Sequence, residues 1–133
     1  MSPERATYLD SSALVKLVVL EPESVALRRY VRRYRPLVCS ALARTEVARA
    51  VGSLGQAASQ RVDVVLATIA LIRLNDRVLA AAGAMLPPDL RSLDAIHLAT
   101  AQQLGSDLGR ILTYDERMST AAQTLGFTVV APS

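Results

Sequence analysis

Four carboxylates are placed along the chain where they could act as one site. Asp10 directly follows a short apolar stretch that is typical of a strand, and Asp115 comes just after another. Glu46 and Asp94 fall on faces of predicted helices that otherwise carry apolar residues. Right-handed crossovers bring the strand ends that lead into helices to one edge of a parallel sheet. We therefore expect all four acids near that edge, where open α/β sheets bind ligands.

Each acid also has an ordinary structural explanation. Asp10 could simply cap the helix that follows it, because Asp is a favoured N-cap residue. Asp94 could serve the dipole in the first turn of its helix. Glu46 could form a buried ion pair with an arginine, since an unpaired carboxylate on an inner helix face is costly. These alternatives stay open for each residue alone, and the coincidence of four acids favours a site.

A cluster of four carboxylates needs a cation, because the negative charges repel one another when no basic partner is close. The ligands available are oxygens, with no set of Cys and His residues at metal-ligand spacing. Oxygen ligands suit Mg²⁺, or Mn²⁺ in its place, better than Zn²⁺. The sequence therefore predicts a Mg²⁺ site formed by acids.

The elements that must position these acids alternate between strand and helix. Strands are expected at residues 6–9, 37–39, 69–74, 110–113 and 127–130. Between them the apolar residues repeat with helical spacing, and Ser40, Asn75 and Ser92 are expected to cap the helices that follow. The alternation predicts an α/β fold with a central, mainly parallel sheet.

Size and composition limit the class of protein. With 133 residues, a single domain covering 1–133 is expected, and 51% hydrophobic against 20% charged residues excludes disorder. The apolar runs are too short for a transmembrane helix, and the N-terminus is not typical of a signal peptide. The single cysteine, Cys39, lies in an apolar run and is expected to be a buried thiol in the cytoplasm.

The basic residues are almost all arginine, with 14 arginines and one lysine for a net charge of +3. Five of them lie on or beside one face of the second predicted helix, with no acid between them: Arg28, Arg29, Arg32, Arg33 and Arg35. This face is either an anion-binding surface or an ordinary solvated face. The only histidine, His97, is expected to be a packed core residue rather than a catalytic base.

Four motifs in order along the whole chain resemble those of PIN-domain ribonucleases, and in particular VapC-type toxins of bacterial toxin–antitoxin pairs. The motifs are Leu9-Asp10-Ser11-Ser12-Ala13-Leu14, Thr45-Glu46-Val47, Leu93-Asp94-Ala95-Ile96-His97-Leu98-Ala99-Thr100-Ala101 and Thr113-Tyr114-Asp115. None is specific alone, whereas all four at these spacings are a strong signal.

The resemblance implies a three-layer α/β/α fold around a sheet of about five strands. It also implies that Asp10, Glu46, Asp94 and Asp115 hold Mg²⁺ for RNA cleavage by an activated water. Ser12 matches the family's hydroxyl near the first acid, and Thr113 is expected to assist beside the last one. A homodimer and an antitoxin that covers the site are implied as partners.

Three other functions are alternatives to the ribonuclease. An aspartyl-phosphate phosphatase would need a second acid two residues after Asp10, where Ser12 stands. A phospho-acceptor receiver would need a lysine late in the chain, but the only lysine is Lys16. The remaining alternative is a non-catalytic RNA- or protein-binding PIN-like module, which a test of metal-dependent ribonuclease activity would separate from the enzyme.

Overall fold

The computed structural model describes residues 5–133, and residues 1–4 of the predicted domain lie outside this description. The strands are β1 (Ala6–Leu9), β2 (Leu37–Ser40), β3 (Ala70–Ile72), β4 (Leu108–Leu112) and β5 (Val129–Val130). The helices are α1 (Ser11–Val18), α2 (Ser24–Arg33), α3 (Ala43–Val51), α4 (Gln56–Leu66), α5 (Asp76–Gly83), α6 (Ser92–Gln102) and α7 (Glu116–Thr124). Short 3₁₀ turns occupy Gly52–Leu54 and Gly105–Asp107.

The five strands form one sheet in the order β3-β2-β1-β4-β5, and every neighbouring pair is parallel. In the centre, Tyr8 of β1 pairs with Val38 of β2 on one side and with Ile111 of β4 on the other. The predicted five-stranded parallel sheet is therefore confirmed. Because β1, β2 and β3 succeed one another in one direction and β4 and β5 in the other, the order reverses between β1 and β4.

Helices cover both faces of the sheet. Right-handed crossovers in opposite directions place α1 to α4 on one face and α5 to α7 on the other. The contacts agree, since α1 packs on α2, α3 and α4, whereas α5 packs on α6 and α6 on β2 and β4. These layers give the three-layer α/β/α fold that the family resemblance implied.

Three helices begin at polar caps of the same kind. The side chains of Asp10, Asn75 and Asp115 each accept a hydrogen bond from the backbone N–H three residues ahead. Two predicted caps are wrong. Ser40 ends β2 and its Oγ accepts the Leu42 N–H at 3.2 Å, so it stabilises a turn before α3 instead of capping the helix.

The second wrong cap is Ser92, which is the first helical residue of α6 and leaves Arg91 at the N-cap without a side-chain hydrogen bond. The strand β4 also begins earlier than predicted, at Leu108, because Gly109 permits a close approach to β1. In the described residues, no helix is both long and apolar enough to cross a bilayer.

Candidate active site

Asp10 stands at the end of β1, where the strand order reverses. Its Oδ1 accepts the Ala13 N–H at 3.1 Å, so the helix cap is present. The residue is 5% exposed, and burial raises the pKa of its carboxyl above the ordinary value, against the effect of its hydrogen bonds. Asp10 is therefore both a cap and a buried acid at the reversal point, where α/β sheets bind ligands.

Two hydroxyl groups, which we call the hydroxyl clip, hold the two oxygens of Asp10. Ser12 Oγ donates to Oδ1 at 2.6 Å and accepts the Tyr114 N–H at 3.1 Å. Thr113 Oγ1 donates to Oδ2 at 2.5 Å and accepts the Asp115 N–H at 3.1 Å. Each hydroxyl thus connects the end of β1 to the loop that follows β4, and the carboxylate is fixed between the two strands.

Asp94 lies in the first turn of α6, as predicted, and is half-buried. Within residues 5–133 its carboxylate makes no hydrogen bond and no salt bridge. Burial raises its pKa above the ordinary value, and the charges of Asp115 and then Asp10 raise it further, while the nearby His97 ring and Arg91 oppose the change. The three aspartates therefore lie close enough for their charges to interact.

Asp115 begins α7, and its Oδ1 accepts the Met118 N–H at 3.1 Å. Unlike Asp10, it is exposed to solvent. The charge of Asp115 acts on Asp94, so the last acid of the sequence motif reaches the same edge of the sheet as the others.

Glu46 lies in the first turn of α3, and its side chain is 21% exposed. Its Oε1 accepts hydrogen bonds from Ser11 Oγ at 2.7 Å and from the ring of His97 at 2.7 Å. Burial acts to raise the pKa of Glu46, but the interactions with His97 and Ser11 outweigh it and the pKa is lowered. The alternative of an arginine partner is wrong, because the partner is His97.

Sequence reasoning missed the residues that hold Glu46. His97 is buried, as expected of a packed core residue, but its ring also joins Glu46 to the Tyr8 hydroxyl. A signal was available, since Asp94 and His97 are three residues apart and so share one helix face. Ser11 gave no such signal, because its contact with Glu46 depends on how α1 packs on α3.

Each of the four carboxylates keeps an oxygen with unused capacity to accept a ligand. Oδ1 of Asp10 takes two donors, but Oδ2 takes only one. In the described part of the chain no donor bonds to either carboxylate oxygen of Asp94, to Oε2 of Glu46 or to Oδ2 of Asp115. A carboxylate has about four lone-pair positions, so all four can accept more. The donor chemistry fits a hard cation such as Mg²⁺.

The side chains as they stand do not form a closed coordination shell. Among residues 5–133, no three His, Cys, Asp or Glu side chains are gathered tightly enough to hold a metal ion by themselves. Mg²⁺ characteristically keeps several waters and needs only one or two direct carboxylate ligands. The arrangement thus suits an ion that contacts some of these acids directly and others through water.

A groove of about 1140 Å³ opens beside Asp94, between the segment before α6 and the outer face of α7. Arg91 and Arg117 line it together with Pro87 and Pro88, and so do the acids Asp89 and Glu116. Its lining therefore combines cationic, acidic and apolar groups, and the arginines and prolines are the parts that suit the phosphates and flat rings of a nucleic acid.

The arginine face of α2, formed by the five arginines named above, is exposed as predicted. Its C-terminal part lies toward the amino ends of the strands, away from the acids, because α2 leads into the first residue of β2. Tyr34, just after α2, accepts from Thr7 Oγ1 through its carbonyl, and its ring lies under the guanidinium of Arg110. Four strand residues span about 13 Å, so the C-terminal part of this face is distant from Asp10.

Comparison with known proteins identifies the family to which this fold belongs. Residues 7–123 match the family model of the PIN domain. The chain therefore belongs to the PIN-domain family.

Within that family it is a VapC-type toxin. It is 60% identical over 128 residues to Ribonuclease VapC46 of Mycobacterium tuberculosis, covering 96% of this chain and 98% of the relative. It is 42% identical to Ribonuclease VapC35 of the same species, covering 94% of this chain and 96% of the relative.

Two solved structures share the fold. One is a toxin–antitoxin complex from Klebsiella pneumoniae, with a TM-score of 0.74, 22% identity, and coverage of 96% of this chain and 98% of the other. The second is VapC20 of Mycobacterium tuberculosis, a sarcin–ricin loop cleaving toxin, with a TM-score of 0.74, 15% identity, and coverage of 95% and 99%. At these identities the likeness establishes the arrangement of the elements.

Proposed function

We propose that this protein is a Mg²⁺-dependent endoribonuclease and the toxin of a toxin–antitoxin pair. The observation that carries the proposal is the group of four acids at the reversal point of the sheet, none of which has a Lys or Arg salt-bridge partner within residues 5–133. The names of the relatives, which are ribonucleases, support the reaction class.

Asp10 and Asp94 are the proposed principal ligands of Mg²⁺, with Glu46 and Asp115 binding directly or through water. Mn²⁺ is expected to substitute, because it favours the same oxygen ligands. Such an ion supplies a Lewis acid for the phosphoryl group and a more acidic water for attack on phosphorus.

The chain itself supplies position and charge. The hydroxyl clip keeps Asp10 in one orientation, so no rotamer has to be fixed when substrate binds. The free oxygens of Asp94 and Glu46 can accept hydrogen bonds from a water molecule and orient it. No protein nucleophile is required, because water itself would form the new bond to phosphorus while the bond to the leaving ribose oxygen breaks and that oxygen takes up a proton from solvent.

The groove beside Asp94 is the proposed path of the RNA next to the bond that is cut. Arg91 and Arg117 are placed to bind phosphates, and the proline-containing wall can contact bases. Single-stranded RNA exposes its bases for contacts of this kind. The reaction belongs in the cytoplasm, where RNA is found and where a reduced thiol such as that of Cys39 persists.

Two protein partners complete the proposal. An antitoxin is expected, and the similar structure from Klebsiella pneumoniae, a toxin–antitoxin complex, supports one. A homodimer is proposed from the family resemblance and is tested by sedimentation of the purified protein. The arginine face of α2 is a candidate contact for RNA or for acids of the antitoxin.

The test of the reaction is RNA cleavage by the purified protein with Mg²⁺, with Mn²⁺, and with excess EDTA. We expect cleavage with either metal and none with EDTA. Asp94→Asn is expected to lower the rate by more than about 100-fold, since even residues that only orient metal ligands cost about 10–100-fold. Asp10→Asn is expected to do the same.

Asp63→Asn is the matched control, because it makes the same change of charge at an exposed position on α4. It should cleave RNA at the wild-type rate. Cleavage that persists in EDTA, or wild-type activity of Asp94→Asn with Mg²⁺, would contradict the proposal. Tight RNA binding without any cleavage would instead favour the non-catalytic module.

A further inference from the structure

A chain of hydrogen bonds runs beneath the acids from the sheet to Glu46. The Tyr8 hydroxyl on β1 lies 2.7 Å from Nδ1 of His97 on α6, and Nε2 of His97 lies 2.7 Å from Oε1 of Glu46 on α3. Tyr8 and His97 are 1% and 2% exposed, and their rings meet edge to face. Three separate elements are therefore joined at one carboxylate.

The direction of this chain follows from the Tyr8 hydroxyl. Its oxygen accepts the Ser40 N–H at 3.1 Å, so the hydroxyl proton remains to be donated to another group. That proton needs an acceptor in a buried site, and the acceptor is His97 Nδ1. Nε2 of His97 then carries the ring proton and donates it to Glu46.

This assignment leaves His97 without a nitrogen that could take a proton from water. Nδ1 accepts from Tyr8 and Nε2 donates to Glu46, so both ring nitrogens are engaged inside the protein. Oε1 of Glu46 is held by His97 and Ser11 together, whereas no donor within residues 5–133 bonds to Oε2. The carboxylate is thus clamped at one oxygen and open at the other.

We propose that Tyr8 and His97 are positioning residues that clamp Oε1 of Glu46 so that Oε2 is presented to the divalent cation of the proposed ribonuclease site. The inference rests on the proposed function for the cation. It assigns to the only histidine a role in orientation, and to Tyr8 the role of setting which nitrogen of the ring carries the proton. His97 also lies about one helical turn from Asp94 on α6.

Two substitutions of His97 separate this role from simple packing. Gln can place an amide N–H near the position of Nε2, whereas Leu fills the space without a donor. We expect His97→Leu to weaken Mn²⁺ binding about 10–100-fold, the usual effect of losing a residue that orients a metal ligand. We expect His97→Gln to stay closer to wild type. If His97 only fills space, His97→Leu should instead bind Mn²⁺ better than His97→Gln, because apolar Leu suits a buried site better than Gln does.

Mn²⁺ affinity, measured from the electron paramagnetic resonance signal of the free ion, is the readout, and RNA cleavage is followed in parallel. Thr100→Val is the matched control, because Thr100 is a buried polar residue on the same helix whose hydroxyl donates to the Ile96 carbonyl and, within residues 5–133, to no acid. It should leave Mn²⁺ affinity unchanged. Equal affinities for wild type, His97→Leu and His97→Gln would overturn the proposal.

The tautomer of His97 gives a second measurement that needs neither metal nor RNA. Because the chain has one histidine, the ¹⁵N ring signals of the untagged protein belong to that residue. We expect the Nε2–H tautomer at neutral pH, and a partial shift to the Nδ1–H tautomer in Tyr8→Phe, which keeps the ring but loses the hydroxyl. An Nδ1–H tautomer in the wild type would overturn the proposed direction of the hydrogen bonds from Tyr8 through His97 to Glu46.

The two measurements also separate the inference from the proposed function. If the wild type binds no Mn²⁺ and cleaves no RNA, the proposed function fails, and the hydrogen-bond chain is still decided by the tautomer. If the wild type binds Mn²⁺ and cleaves RNA while His97→Leu does both equally well, the function stands and the positioning role is wrong.

Discussion

The hydroxyl clip predicts a large effect for removing one oxygen atom at Thr113. Thr113→Val keeps the shape of a side chain that is 1% exposed but deletes the donor to Oδ2 of Asp10 and the acceptor of the Asp115 N–H. A hydrogen bond to a charged group contributes about 1.5–3 kcal/mol. The Asp115 N–H adds little, because Asp115 is exposed and water can bind there. We expect a loss of about 2–3 kcal/mol.

That loss can be converted into a shift of the thermal midpoint. An unfolding entropy of about 2.1 cal/mol/K per residue gives about 0.28 kcal/mol/K for a chain of this length, so Tm should fall by roughly 7–11 °C. Urea unfolding followed by circular dichroism gives the same free energy from the change in midpoint at constant slope. RNA cleavage should fall as well, since Oδ2 of Asp10 loses the contact that orients it.

Thr113→Ser is the matched control, because it keeps the hydroxyl and loses one methyl group, at about 0.8 kcal/mol. The clip therefore predicts that Val is more destabilising than Ser, whereas hydrophobic burial alone predicts the reverse. Ser12→Ala should cost about 1 kcal/mol, because Ser12 is half-buried and water can replace its hydroxyl. A Thr113→Val protein as stable as wild type would refute this account of Asp10.

Three further predictions concern other parts of the molecule. If the arginine face of α2 binds RNA phosphates, replacing Arg28, Arg32 and Arg35 by Gln should reduce the slope of log affinity for RNA against log salt concentration by about two units, at about 0.7 per contact. If the face binds the antitoxin, the same variant should be inhibited less by the antitoxin at unchanged RNA affinity. A solvated face predicts no change in RNA affinity or in inhibition. The thiol of Cys39 is buried, and its pKa is raised, first by burial and then by the charges of Asp10 and Glu46. It should therefore react with Ellman's reagent at pH 8 only as fast as the protein unfolds, and rapid reaction of the native protein would contradict this. Gly109→Ala should lower the free energy of unfolding by about 1–3 kcal/mol, since the new Cβ would come within 3.2 Å of a backbone oxygen of β1. An unchanged midpoint in urea would contradict this and would mean that β1 and β4 move apart to accept the methyl group.

Some of this architecture is local in origin and was therefore predictable. The apolar stretch before Asp10, the acid itself and the helical spacing after it are contiguous in sequence, so the junction of β1 and α1 could be predicted without the rest of the chain. The same holds for Asn75 as a cap. The predictions of Ser40 and Ser92 as caps were wrong, because several residues near a helix start can cap it and the choice depends on where the preceding segment packs.

The sequence by itself determined the alternation of strands and helices, the five-stranded parallel sheet and the edge at which the acids stand, since periodicity and crossover handedness need no knowledge of distant contacts. Only the tertiary structure decided which side chain partners which acid. Thr113 reaches Asp10 across 103 positions of sequence, and His97 reaches Glu46 across 51. The first contact depends on the pairing of β1 with β4, and the second on how α3 and α6 approach the sheet from opposite faces. Neither local propensity nor spacing carries that information. For that reason the acids could be named from the sequence, whereas the residues that hold them could not.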